Sequence, residues 1–549
     1  MEFDYIVVGA GAAGSVVAGR LAAESGASVL LVEYGGADHN PLLHVPKGFY
    51  YTLRGHRYLY RYPTTPAAPG GRPETWLRGR VLGGSAAVNG MMWATGAPAD
   101  WDDLEQRGNP GWGAASLRPA FQALQERLGV SVAQPDEPVT RAILQSAQAY
   151  GWQQVADFNA HDGERIACTP STISNGRRIT SYRAFVRPER ARPRGHRNLV
   201  VATRTRAECL LFDSPAGTRV TGVRLRHGAS QHGASQHGAS QHGAIRRDAS
   251  QHGGSTRDVI ARREVIVCAG TVETPLLLER SGIGHPDVLG PLGIRVRVAS
   301  PQVGERVSEQ RAVVMQVRLT DDIGPGRRVA SLGGKAIAAL RYLLSGQGTL
   351  ATAGYDLVCQ FKSSPGLARP DVHGLFTPMA IDPASSELRL ARYSGVLFVG
   401  YAIRPGTFGT VHSSGPGPQD PPVITARYLQ DAADRAATGA ALGVARAVLG
   451  AGPVACLVDG EDFPGPGVAT PAEVVSYALA TGTGIYHAVG SAAMGPGDDD
   501  VVDATLRVRG VHGLRVADAS VLPVQVSGGM AAPAMAIGWR AADEILGSP

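Results

Sequence analysis

The chain opens on an apolar, β-branched run, Tyr5-Ile6-Val7-Val8, of the kind that makes a parallel strand buried on both faces. Glycines follow at Gly9, Gly11 and Gly14. Residues 15–24 then place apolar side chains at helical spacing, and Gly26 ends that run. Val29-Leu30-Leu31-Val32 supplies a second apolar strand with Glu33 at its tip. The pattern predicts strand, glycine turn, helix and strand, a complete βαβ unit in the first 35 residues.

Strand-like runs recur at 199–203, 222–225 and 265–268, the last followed by a helix-like stretch over 273–280. The C-terminal part ends with a strand at 514–517 and a closing helix over 534–546. Between these lie two stretches, 90–195 and 300–460, richer in Pro, Gly, Trp and Tyr. The expected organisation is α/β. A Rossmann-like dinucleotide domain is built discontinuously from 1–90, 195–300 and 460–549. An inserted α+β substrate domain from 91–194 and 301–459 contains an antiparallel sheet and roofs the substrate. Trp93, Tyr355 and Phe361 are candidates for its wall.

Residues 227–255 interrupt this scheme. HGASQ repeats three times from His227 and begins a fourth copy, with a shorter echo at 249–252. His227, His232, His237, His242 and His252 invite a metal-site reading, yet a period of five keeps ligands on no one helical face. Gly and Ser add no packing to fix their geometry. A low-complexity surface loop between two strands is expected, with no metal.

A length of 549 residues exceeds one simple core and suggests two to four domains. Hydrophobic residues at 44% and charged residues at 18% suit a folded protein and exclude wholesale disorder. The net charge of +6 comes from 53 basic against 47 acidic residues, interspersed, so a mixed surface is expected and nucleic acid is not a partner. Five scattered cysteines without a C-x-x-C pair fit a reducing compartment with neither disulfide nor zinc. The N-terminus runs straight into a strand and no apolar run approaches about 18 residues, so a cytoplasmic protein without a transmembrane segment is expected.

Gly9-x-Gly11-x-x-Gly14 directly follows a strand and opens a helix. Gly9 permits the tight turn, and Gly11, with Ala12 and Ala13, lets backbone approach a pyrophosphate. Gly14 lets helix and strand pack closely while the helix N-terminus faces the anion. Glu33, nineteen residues beyond Gly14, stands where a carboxylate accepts bonds from a ribose hydroxyl. This unit predicts an adenine dinucleotide and leaves NAD and FAD open.

Three further segments decide between them. Gly79-Arg80-Val81-Leu82-Gly83-Gly84-Ser85-Ala86-Ala87-Val88-Asn89-Gly90 is followed by Gly270-Thr271-Val272-Glu273-Thr274-Pro275-Leu276-Leu277-Leu278-Glu279-Arg280-Ser281-Gly282-Ile283-Gly284. The C-terminal set is Tyr486-His487-Ala488-Val489-Gly490, then Gly513-Leu514-Arg515-Val516-Ala517-Asp518-Ala519-Ser520 and Ala532-Pro533. In order and spacing these resemble the signatures of the glucose–methanol–choline (GMC) oxidoreductase family across the whole chain. The resemblance implies FAD as cofactor. It places Arg80, Val81, Gly83, Gly84, Asn89 and Gly90 along the flavin, Asp518 and Ala519 against the pyrophosphate and ribityl chain, and Ala207 in the same cofactor site. Val88 stands where some members carry the histidine that attaches FAD, so non-covalent FAD is implied.

Oxidation of an alcohol needs a base for the hydroxyl proton so that hydride can pass to flavin N5. The family's base aligns with His487. Its second polar residue aligns with Gly529, and a further common Asn aligns with Ala531; neither residue here has a hydrogen-bonding side chain. Either His487 works alone, Gln525 or Ser527 substitutes, or the reaction has diverged. Two more departures from the family pattern are residues 303–310 (VGERVSEQ) and Phe408. The resemblance implies an FAD-dependent enzyme oxidising an alcohol, a dehydrogenase or an oxidase, whose electrons pass to a quinone, a redox carrier or oxygen, with the dehydrogenase the leading expectation. The alternatives are a non-redox relative, of hydroxynitrile-lyase or flavin-photoenzyme type, and an inactive FAD-binding protein.

Overall fold

A computed structural model describes residues 1–67, 72–192, 198–228, 255–320, 323–384 and 389–547. The first strand, β1 (Glu2–Val8), and the second, β2 (Val29–Val32), pair in parallel, joined by helix α1 (Ala12–Glu24). The other helices that recur in this account are α2 (Gly270–Arg280), α3 (Leu332–Ser345) and α4 (Ala531–Leu546). α1 begins three residues before the apolar periodicity does, because Gly11 itself caps it and the glycine turn is already the first helical turn.

The strands Leu199–Ala202, β2, β1 and Ser255–Val267 lie side by side in parallel. The end of Ser255–Val267 also pairs in parallel with Leu514–Val516, while its beginning pairs antiparallel with Val220–His227, which pairs with Thr205–Phe212. Every residue from Tyr5 to Val8 and of β2 is buried, which is why these runs are continuously apolar rather than alternating. α1 packs on α4 at backbone distance: a Cβ on Gly538 would lie 2.5 Å from the Ala13 carbonyl oxygen. Arg20 ties the same pair, bonding Glu24 and Asp543 and lying over the Trp539 ring at 4.1 Å. α4 starts at Ala531, so Pro533 falls in its first turn, where a missing N–H costs nothing.

The second sheet runs Val458–Phe463, Val313–Leu319, Gly395–Ala402, Val372–Thr377, Leu357–Phe361 and Arg165–Cys168 in antiparallel order, with Gln153–Gln154 parallel at the edge. Its side chains alternate. Val313, Met315, Leu357, Phe361, Phe376 and Phe398 join one core with the helices Pro138–Tyr150, Ala432–Leu449 and Pro471–Thr481. Val358, Leu375, Val399 and Tyr401 point to the opposite face, the period of two expected of a pleated strand.

Packing redraws the expected borders between the two units. Val458–Phe463 belongs to the second sheet, and Pro471–Thr481 packs on it through Val474 and Ala478, so the border at 460 moves past residue 481. Trp101, Leu104, Trp112 and Leu117, assigned from composition to the inserted unit, bury instead in the first core, where Trp112 Nε1 donates to the Ala504 carbonyl. Tyr182 and Val186 do the same. Aromatic richness marked core material here rather than a change of domain. The HGASQ repeat, with His232, His237, His242 and His252, lies outside the described residues. The strands it joins are paired to their ends, with His227 opposite Ser255. Among the described residues no helix is long and apolar enough to cross a membrane.

The α1–α4 contact predicts that Gly538→Ala lowers stability by about 1–3 kcal/mol, since the new methyl meets backbone that cannot swing aside. Gly443→Ala, in the interior of Ala432–Leu449 with nothing within 4 Å of the added carbon, raises stability by about 0.5–1 kcal/mol. Chemical denaturation of both variants checks the pair.

Candidate active site

Between the two sheets lies a cavity of about 400 Å³, within the range of small-molecule and cofactor sites. Gly9, Gly11, Ala12, Ala13, Glu33, Gly84, Asn89, Gly90, Ala207, His487, Asp518 and Ala519 all line it. Gly14, Arg80, Val81 and Gly83 stand behind the lining. A Cβ on Gly14 would sit 2.0 Å from the Gly9 carbonyl oxygen, so its role is close packing. Gly83 turns the loop at φ 94° and donates its N–H to the Ala10 carbonyl, while Val81 is fully buried. The Arg80 guanidinium lies over the rings of Tyr34 and Tyr60 instead of facing the cavity.

One half of the cavity fits an adenine dinucleotide. α1 points its N-terminus at it with no acidic residue in the first turn, and a Cβ on Gly11 would meet no protein atom within 4 Å. Bare backbone amides and a positive helix end therefore face open space, a ready site for a pyrophosphate. The Glu33 carboxylate accepts from Ala10 N (3.1 Å) and Gly35 N (2.7 Å), leaving lone pairs for ribose hydroxyls. Burial outweighs those two donors and pushes Glu33 up to about 7. The Asp518 carboxylate is spent inside the protein. It accepts from Gly270 N and Thr274 Oγ1 near the start of α2 and from Ser520 N, fixing the wall rather than offering itself to a ligand.

His487 closes the other half. Its Nδ1 lies 2.8 Å from Gln310 Oε1, and Gln310 Nε2 donates to the Ile403 carbonyl at 2.6 Å. The second bond orients the amide, so its oxygen faces the imidazole and Nδ1 must carry the proton. Nε2 is left with a lone pair in the cavity. Burial, and after it the charge of Arg78, lowers the His487 pKa to about 3, so the ring is neutral. The backbone beneath it is strained at Tyr486, φ 67°, and Glu309 holds it by accepting from His487 N and Ala488 N. Burial raises Glu309 to about 7 against those donors and Arg78, whose guanidinium approaches to 3.6 Å.

Gly529 stands beside this imidazole: a Cβ there would be 3.6 Å from His487 Nε2 and 3.2 Å from the Met92 terminal methyl. The place of a second polar side chain is thus met by Met92, which also lines the cavity. Gln525 and Ser527 do not substitute for it. Gln525 Nε2 bonds the Ser308 and His487 carbonyls, and Ser527 bonds Asp100 and Arg404; neither lines the cavity. Of the three aromatic candidates Tyr355 lines it, while Trp93 and Phe361 are buried in separate cores. Arg78, Glu309, Gln310 and Met92 were missed from sequence. Arg78 had a signal, since it alternates with Trp76 along Thr75–Gly79 and immediately precedes the first glycine-rich segment.

Residues 3–311 and 405–538 match the N- and C-terminal family models described as GMC oxidoreductase. The chain is 32% identical over 570 residues to an uncharacterized GMC-type oxidoreductase of Mycobacterium bovis, covering 99% of each. It is 29% identical to the oxygen-dependent choline dehydrogenase of Brucella anthropi, covering 100% of this chain and 96% of that one. In fold it is similar to the pyridoxine 4-oxidase from Mesorbium loti, with a TM-score of 0.82 at 24% identity, covering 100% of this chain and 99% of that one.

A ribose hydroxyl placed on Glu33 would donate to its ionised form, so FAD binding there would deprotonate a group held near 7. Affinity of the apoprotein for FAD therefore falls about tenfold per pH unit below pH 7 and levels off above it. Titration of the apoprotein with FAD at several pH values checks this, and the slope disappears in Glu33→Gln.

Proposed function

The chain belongs to the GMC oxidoreductase family, and from that premise we propose that it is an FAD-dependent alcohol dehydrogenase in which His487 is the sole side-chain base. The observation that carries this reading is the His487 Nε2 lone pair facing the cavity, with Nδ1 committed to Gln310. FAD, when bound, supplies the two-electron acceptor for the substrate hydride. The residues of the chain do the rest. α1 and Glu33 hold the dinucleotide end, Asn89 and Gly90 give close backbone approach, and His487 takes the hydroxyl proton as the carbinol carbon gives up its hydride. An aldehyde or ketone is the product. A quinone or redox carrier then takes the electrons, with oxygen the alternative acceptor. Val88, at the attachment position of some relatives, supports non-covalent FAD, which acid precipitation would release in full.

The cavity also narrows the substrate class. At this end the lining includes Phe49, Met92, Tyr355, Leu375, Ile485, Tyr486 and Met530, with Arg78 the nearby charge. The lining carboxylates are all committed elsewhere: Glu33 to the glycine turn, Glu273 to Tyr62 and Arg206, and Asp518 to α2. Such a wall, with no uncommitted carboxylate and a guanidinium close by, favours an uncharged alcohol with an apolar chain over a quaternary ammonium alcohol. One observation favours a second reading: the missing side chain at Gly529 suits a non-redox relative in which FAD is structural.

Anaerobic mixing separates the readings. Flavin absorbance bleaches with an apolar primary alcohol and not with choline, and His487→Ala slows bleaching by about 100-fold to 10,000-fold. Bleaching by no alcohol would favour the non-redox reading, and bleaching unchanged in His487→Ala would remove that residue from the chemistry. Stoichiometric peroxide in air would make the enzyme an oxidase.

A further inference from the structure

No described side chain of α3 (Leu332–Ser345) is buried. Leu332, Ile337, Leu340, Leu343 and Leu344 are 86%, 71%, 58%, 79% and 79% exposed. At 100° per residue these five and Ala336 fall in one continuous arc of about 140°. Arg341 flanks the arc on one side, and on the other Lys335 stands beyond Ala339. Ala338 and Tyr342, on the opposite side, are partly covered, and Tyr342 donates its hydroxyl to the Gly176 carbonyl at 3.0 Å. The apolar arc therefore faces away from the protein. Between residues 323 and 355 the sequence has no Asp or Glu, against Arg327, Arg328, Lys335 and Arg341.

We propose that α3 is a monotopic membrane anchor that lays its leucine arc into the interfacial layer of an anionic bilayer, with its basic edges at the phosphate headgroups. Five exposed aliphatics on one arc are more than a water-facing helix tolerates, and a lipid surface removes them from water without any partner of matched shape. The charge pattern selects lipid over a second copy of the chain. Two arcs packed face to face would bring Lys335 and Arg341 of each copy together, and the segment offers no carboxylate to pair with them. The same segment continues through Thr349–Ala351 to Ala353, whose carbonyl accepts from Lys47 Nζ at 2.5 Å, and to Tyr355 in the cavity wall. The chain leaving α3 thus runs directly into the wall of the cavity. This docking stands whether or not the alcohol reading holds.

The test is cosedimentation of the full-length, FAD-loaded protein with vesicles of phosphatidylcholine, alone or mixed with phosphatidylglycerol. The wild type binds the mixed vesicles, and Leu340→Glu/Leu343→Glu weakens that binding about tenfold or more. Lys335→Gln/Arg341→Gln weakens it about fivefold per charge removed on anionic vesicles and leaves binding to pure phosphatidylcholine unchanged. Equal FAD content in all variants verifies that they are folded. Failure of the wild type to cosediment, or equal binding by the glutamate variant, overturns the proposal. So does a dimer in sedimentation equilibrium that the glutamate variant dissociates, which would assign the arc to a second copy.

Discussion

One hydrogen bond, from His487 Nδ1 to Gln310 Oε1, decides what the cavity can do. Gln310 spends its own N–H on the Ile403 carbonyl, so the amide cannot turn over and the imidazole has a single tautomer. The bond also crosses the molecule. Gln310 leads into Val313–Leu319 of the second sheet, and Ile403 follows Gly395–Ala402 of the same sheet. His487 lies on the chain returning to Leu514–Val516 of the first. Glu309 reinforces the crossing through the backbone of His487 and Ala488. An imidazole held from the second unit against the glycine turn of the first requires both units at once, and the discontinuous chain path delivers that.

The dinucleotide half was legible because its physics is local. A glycine turn, an uncharged helix start and a carboxylate at a strand tip are all set within the first 35 residues, and Gly11 and Glu33 face the cavity as their spacing demands. The base end was legible only in part. His487 and the bare position at Gly529 meet as their motifs implied, yet Gln310 is 177 residues from His487 in sequence. Arg78 and Arg80 differ by two positions, and only the end of the strand turns Arg80 away onto Tyr34 and Tyr60. Core membership was illegible for a related reason: composition cannot say which core a tryptophan enters, and Trp101 and Trp112 enter the first. Two departures that looked separate are one feature in space, since the Arg306 guanidinium lies over the Phe408 ring at 5.4 Å.

Gly529 and Met92 together make the substrate end apolar where a second polar residue would otherwise stand. On the proposed reading, that exchange gives up a hydrogen-bond partner for the reacting oxygen and leaves proton acceptance to His487 alone. Burial sharpens the consequence. An imidazole lowered to about 3 is in its accepting form at physiological pH, and its imidazolium is costly in this buried position.

The pH dependence of the second-order rate of anaerobic flavin reduction, measured on FAD-saturated protein with a substrate alcohol, tests this most directly. A folded-state pKa depressed below the ordinary histidine value keeps the base neutral as pH falls. The account predicts a flat rate from pH 8 to about pH 5, with loss only on approach to about 3. A rate that falls away with an apparent pKa near the ordinary histidine value of about 6.5, and that loses this limb in His487→Ala, would contradict it.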